Sequence, residues 1–172
     1  LVGILMPAIN AAMRRAERAR AQAEINDIAN AVKNFYREYG KYPCPQNGIA
    51  DQTFHAAAGD NGRVDSQSRV IQILKGVDST NNPKAMVFLD VPENSLEGSD
   101  KDNISYTKSM WYYLDPWENP YVIVLDTDFD NNCRMSSVGA GSLEGTIQGK
   151  SVCVWSWGDK PGASNSFLKS WE

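Results

Sequence analysis

Residues 21–43 read AQAEINDIANAVKNFYREYGKYP, and their spacing is helical. Ala21, Ile25, Ile28, Ala29, Val32, Phe35, Tyr36 and Tyr39 recur at steps of three and four, which places them on one face. Gly40 and Pro43 then end the helix, because glycine adopts the left-handed cap and proline cannot continue the turn. Upstream, residues 8–39 hold neither Gly nor Pro and are rich in Ala, Arg, Glu and Gln, all good helix formers. A stripe as wide as that of residues 21–39 is suited to covering a sheet.

The pattern changes toward the N-terminus. In residues 8–20 the apolar positions are Ala8, Ile9, Ala11, Ala12, Met13, Ala16 and Ala19, with four arginines among them. Small side chains bury little area against a core, but they let other helices approach closely. A helix of 39 residues would reach about 58 Å, roughly twice the width of a small domain. Residues 1–20 are therefore expected to protrude, and residues 21–172 to form the globular domain. Pro7 removes one backbone donor and is a candidate kink. The opening LVGILMPAI is apolar but short of the roughly 20 residues that cross a membrane. It reads as the tail end of a longer hydrophobic helix, the alternative being a short apolar start that packs on the domain itself.

Downstream of the helix, residues 40–66 cluster Gly, Pro, Asn and Asp and read as loop. Residues 66–76, SQSRVIQILKG, read as a short helix ended by Gly76. Residues 85–91, AMVFLDV, are an apolar run of strand length, with Pro92 marking a sheet edge or strand end. Residues 93–109 are polar loop. Better strands follow at 121–126, YVIVLD, and 151–157, SVCVWSW. In the latter, Val152, Val154 and Ser156 alternate with Cys153, Trp155 and Trp157, so both faces are expected to be covered. One long helix, a variable middle and a small antiparallel sheet define an α+β fold.

The chain has 172 residues, with 42% hydrophobic and 22% charged, the range of a folded domain. Its net charge is −4, but residues 1–20 carry +3, which leaves a mildly acidic body of −7. Such a body argues against nucleic acid as a partner, and the basic start suits either anionic lipid or plain solvation. Three cysteines and a single histidine, without any C-x-x-C pair, argue against a zinc site. Cys133 and Cys153 flank a Gly- and Ser-rich segment and are the preferred disulfide pair.

No constellation points to an enzyme. His55 lies in a loop-like stretch and reads as a surface residue. There is no G-x-S-x-G, and GAGSLEG at 139–145 lacks the lysine of a P-loop. The acids Asp126, Asp128 and Asp130 have the alternating spacing that opens a calcium loop. The sixth position is Asn131 rather than Gly and the twelfth is Ser137 rather than Glu, so no EF-hand is present. Two readings stay open: a looser calcium site that borrows Asp159, or a solvated turn.

Three stretches resemble the type IV pilin-like proteins, and most closely the major pseudopilins of type II secretion systems. The first is GILMPAINAAMRRAERARAQAEINDIANAVKNFYREYGKYP, similar to the family's spine helix with its Tyr36, Gly40, Tyr42 and Pro43 ending. The second is DPWENPY at 115–121, similar to an Asp-Pro-Trp-Gly-x-Pro-Tyr turn with Glu118 where Gly is usual. The third is VWSWGDKPGASNSFLKSWE, similar to the C-terminal strand and loop ending on Trp. Together they span under half of the chain, in the family's order.

The resemblance implies a filament subunit whose N-terminal helix anchors in the bacterial inner membrane, with a periplasmic domain. It implies assembly with copies of itself, with other pseudopilins and with the inner-membrane secretion platform, and a processed, methylated N-terminus outside this chain. Head-to-tail contacts of this kind propagate into filaments. The residues implied for the membrane and filament helix are Leu1, Val2, Ile4, Leu5, Pro7, Ile9 and Met13. Arg14, Arg15, Glu17 and Arg18 are candidates for head-group or intersubunit ion pairs. The resemblance also implies calcium in the C-terminal loop, bound by two Asp. Asp159 matches the first, and no acid stands near Ser166 and Phe167 where the second would fall. Calcium is thus the one candidate cofactor. The alternative function is a minor pilin or adhesin-like binding module, displaying Trp111, Trp117, Trp155, Trp157 and Trp171.

Overall fold

A computed structural model describes residues 2–45, 50–56, 66–97, 112–163 and 166–172, with the side chains of residues 2–6 and Ala8 left aside. Leu1, and the side chains of Val2, Ile4 and Leu5 named for the filament helix, lie outside the described residues, as does Trp111. The fold is α+β: one long N-terminal helix packed on a small antiparallel sheet.

Helix α1 runs from Val2 to Tyr39 and passes through Pro7. Its apolar stripe meets the sheet as the spacing requires: Ala21, Ile25, Ile28, Val32 and Phe35 are all buried. Each large aliphatic or aromatic side chain so buried contributes roughly 2 kcal/mol. Gly40 ends the helix with φ +65° and donates its N–H to Tyr36 O at 2.8 Å.

The sheet has the order β1 (Gln52–Phe54), β4 (Val122–Leu125), β7 (Val152–Ser156), β8 (Leu168–Lys169), all antiparallel. Its alternation separates two cores. Ile123, Leu125, Val152 and Val154 pack with α1, whereas Val122, Val124, Cys153 and Trp155 pack on the opposite face. That second face is covered by the hairpin of β5 (Asn132–Met135) and β6 (Gly145–Gln148), through Cys133 and Met135, and by Phe167. Both faces of the last long strand are therefore covered, as its sequence suggests.

The middle adds α2 (Gln67–Leu74) and a two-stranded ribbon, β2 (Leu96–Glu97) with β3 (Tyr112–Tyr113). Buried Gln67 ties them together: its amide donates to Tyr113 O and Tyr121 O and accepts from Tyr113 N–H. The run at 85–91 is not a strand. Ala85 sits at φ +48°, Asn82 Nδ2 donates to Met86 O, and the N–H groups of Phe88 and Leu89 both reach Leu74 O. The run is thus spent wrapping the end of α2, and Val87 stays 67% exposed. His55, expected on the surface, is half-buried and forms a single β-bridge with Ser66.

Candidate functional site

The loop that leaves β4 carries the densest chemistry among the described residues. Asp126 is 2% exposed and its carboxylate closes the loop on itself. It accepts the N–H of Asp130 at 3.1 Å and of Asn131 at 2.8 Å. Asp128 and Asp130 each accept the N–H two residues on, at 3.3 and 2.9 Å. These bonds wind the backbone tightly enough that Phe129 and Asn131 both take φ +63°. Asn tolerates that region better than most side chains, because its short amide bonds locally.

A further carboxylate comes from Asp51. The register Gln52↔Leu125 between β1 and β4 places Asp51 beside Asp126. One oxygen from each of Asp51, Asp126 and Asp128 lies within 4.8 Å of the others. The Asp51 side chain is only 2% exposed. Its Oδ2 accepts the Arg134 N–H at 2.7 Å, while its buried Oδ1 has no hydrogen-bond partner among the described residues.

Arg134, on β5, is the counter-charge. Its guanidinium lies 3.4 Å from Asp51 and 3.1 Å from Asp128, and it also pairs with Asp130. Three carboxylates, Asp51, Asp128 and Asp130, thus share one guanidinium, while Asp126 is held by backbone N–H groups. Burial pushes the Asp51 carboxyl above the ordinary carboxylate range, against the Arg134 N–H bond and charge that pull it down. Burial raises Asp126 as well, aided by Asp128 and opposed by the N–H groups of Asn131 and Asp130. Asp130 moves the other way, held low by its Arg134 bond.

Of the acids named from the sequence, Asp126 and Asp128 meet, and Asp130 turns to Arg134. Asp159 is not part of the group. β7 starts beside Leu125 and carries the chain away from it, so Asp159 emerges at the far end of the strand and pairs with Arg18 at 3.5 Å. The loop's tip, Phe129, stacks on Tyr42 with centroids 5.6 Å apart. An open pocket of about 340 Å³ lies beneath, lined by Lys33, Tyr36, Arg37, Tyr42, Asp126 and Phe129. Burial holds the Tyr42 phenol up to about 12, so it stays protonated there.

Cys133 and Cys153 are side by side on the second core and wholly buried, as free thiols. The hydrogen bond between them, burial and the nearby acids push the Cys133 thiol far above its ordinary range. Cys44 is buried in the other core.

At the N-terminal end of α1, Pro7 is exposed, and Ile9 and Met13 are 50% and 57% exposed. The helix meets the body from Glu17 onward. Glu17 accepts the Trp117 indole N–H at 3.2 Å, Arg18 pairs with Asp159, and Arg20 bridges Glu24 at 2.8 Å and Ser95 at 2.7 Å. Glu24 is buried and takes the Tyr121 hydroxyl at 2.5 Å. Glu17 and Arg18, candidates for contacts between subunits, are thus engaged within the chain, while Arg14 and Arg15 are exposed. Among the described residues no helix is long and apolar enough to cross a membrane.

No protein-family model, curated protein or solved structure matches this chain.

Proposed function

We propose that the chain is a structural subunit of a type IV pilus-like filament, a pseudopilin acting in protein secretion across the outer membrane. The observation that carries this reading is the division of α1. From Ala21 to Phe35 its apolar face is buried, whereas Ile9 and Met13, one helical turn apart, are 50% and 57% exposed. An exposed apolar pair among alanines on a projecting helix is suited to packing against equivalent helices of neighbouring copies. In this reading the helix anchors in the inner membrane, the sheet domain lies in the periplasm, and partners are other pseudopilins and the membrane platform. In that oxidising compartment Cys133 and Cys153 would join by exchange with a disulfide donor, which takes up two electrons and two protons.

The test is assembly. Ile9→Asp and Met13→Asp, singly and together, should abolish filaments or higher oligomers of the chain while leaving its melting temperature unchanged. Filaments that form undisturbed with both charges present would defeat the reading. The adhesin-like alternative receives less support: Trp155 is fully buried, and Trp117, Trp157 and Trp171 pack against the two cores.

A further inference from the structure

We infer that Asp51, Asp126 and Asp128 form a binding site for a hard divalent cation, with calcium preferred over magnesium. The site is independent of the filament reading. It is also distinct from the C-terminal loop around Asp159, which lies at the other end of β7.

Four observations converge. First, the donor set is all carboxylate oxygen, the chemistry of calcium, magnesium or manganese rather than zinc. Second, two oxygens each about 2.4 Å from a shared calcium can be at most about 4.8 Å apart. The mutual separations of the three ligand atoms stay within that 4.8 Å, which meets the condition every pair must satisfy to share one ion. Third, Asp51 Oδ1 is buried without a hydrogen-bond partner among the described residues, beside two other acids. A carboxylate oxygen removed from water and left unpaired costs stability, and an ion bound to it would recover that cost. Fourth, among the described residues Arg134 is the one cation in ion pairs with Asp51, Asp128 and Asp130, so three acids rely on a single guanidinium, while Lys33 and Arg37 line the pocket on the Asp126 side.

The loop is tightly wound. Asp126 takes two backbone N–H groups from its own loop, and Asn131 supplies the left-handed sixth position that a calcium loop usually gives to Gly. The irregular array, with one ligand from a separate loop, suits calcium's tolerant coordination better than magnesium's near-octahedral demand. Asp130 pairs with Arg134 and is outside the group of three.

The experiment is thermal melting of the whole chain in chelator, in calcium and in magnesium at equal ionic strength, followed by calorimetric titration with calcium chloride. At free calcium about 10- to 100-fold above Kd, the melting temperature should rise by roughly 3 to 10 °C, with a smaller rise in magnesium. Asp51→Asn should keep the fold in chelator, shown by circular dichroism, and lose the calcium response. Asp126 also caps the loop, so Asp126→Asn is the less informative variant, and Asp51→Asn keeps the test decisive. Absence of a shift in the native chain at millimolar calcium would overturn the inference. So would a calcium response that survives Asp51→Asn unchanged.

Discussion

Two turns of this molecule begin alike and end differently. Each starts with a buried aspartate just past a strand, Asp115 after β3 and Asp126 after β4. Each aspartate accepts backbone N–H groups from its own turn. Each turn contains a non-glycine residue at positive φ, Glu118 at +64° and Asn131 at +63°. Asp115 is then fully served: Oδ1 takes the N–H of Trp117 at 2.9 Å and of Asn119 at 2.8 Å, and Oδ2 takes the Ser156 hydroxyl at 2.6 Å. Asp126 instead faces two more carboxylates, one of them with an orphaned oxygen. Burial raises both aspartates above the ordinary range, so desolvation alone does not separate them. What separates them is whether the neighbours complete the carboxylate. The first turn is finished by protein donors and reads as architecture. The second leaves a buried carboxylate oxygen without a partner among the described residues, which is the ground for the cation inferred above.

The largest effect should come from the completed turn. Gly158 donates its N–H to Ser156 Oγ at 2.9 Å, which extends the Asp115 network into the C-terminal loop. A Cβ at Gly158 would stand 2.1 Å from Ser166 O, and its φ of +71° already disfavours a side chain. Gly158→Ala should therefore cost about 4 kcal/mol in urea unfolding. Asp115→Ala should cost about 3 kcal/mol, because it strands the Ser156 hydroxyl and two backbone donors in a buried setting. If the second turn differs as argued, Asp51→Asn has the opposite sign without metal. It should stabilise the calcium-free chain by about 1 kcal/mol or less. A loss comparable to that of Asp115→Ala would mean that the acidic group is architecture too.

The contrast between the turns is only half legible in the sequence. Long patterns were readable: the stripe on α1, and the apolar runs that became β4 and β7, declare themselves by period and length. β1, β5, β6 and β8 have two to four residues each, too few for a period to declare itself: β5 alternates over only its four positions, and β6 is mostly exposed. The run at 85–91 misled because its apolar residues serve the end of α2 instead of a ladder. At the site, the spacing of Asp126 and Asp128 is visible in the chain. Asp51 is not. It sits in a loop-like stretch and reaches Asp126 only through the β1–β4 register, a long-range pairing that no local pattern announces. For the same reason Asp159 looked available, although the direction of β7 carries it to the opposite end of the sheet.

Acidity offers a second way to sharpen the comparison. A carboxyl whose folded value is raised weakens the fold in its ionised form. That penalty is absent below the ordinary value of 3.8, grows as pH rises toward the raised folded value, and is full above it. The advantage of Asp51→Asn over the native chain, measured in chelator, should therefore be complete at neutral pH and close as pH falls toward 3.8. An advantage that stays constant across this range would mean that Asp51 is not penalised by its charge.

The smallest effect concerns the backbone of the two turns. Glu118→Gly releases a side chain from the left-handed region, which favours the folded state, while the added freedom of the unfolded chain offsets part of the gain. The net should be a stabilisation of about 1 kcal/mol or less. Asn131→Gly should gain less still, since Asn already tolerates that conformation. With calcium present the two variants should part. Glu118→Gly leaves the calcium-dependent rise in melting temperature untouched, because its turn has no vacancy for an ion. Asn131→Gly should keep that rise too, because the N–H that Asn131 gives to Asp126 belongs to the backbone and survives the substitution. Loss of the rise on Asn131→Gly would show that the asparagine amide itself is a ligand, which would extend the site beyond its three carboxylates.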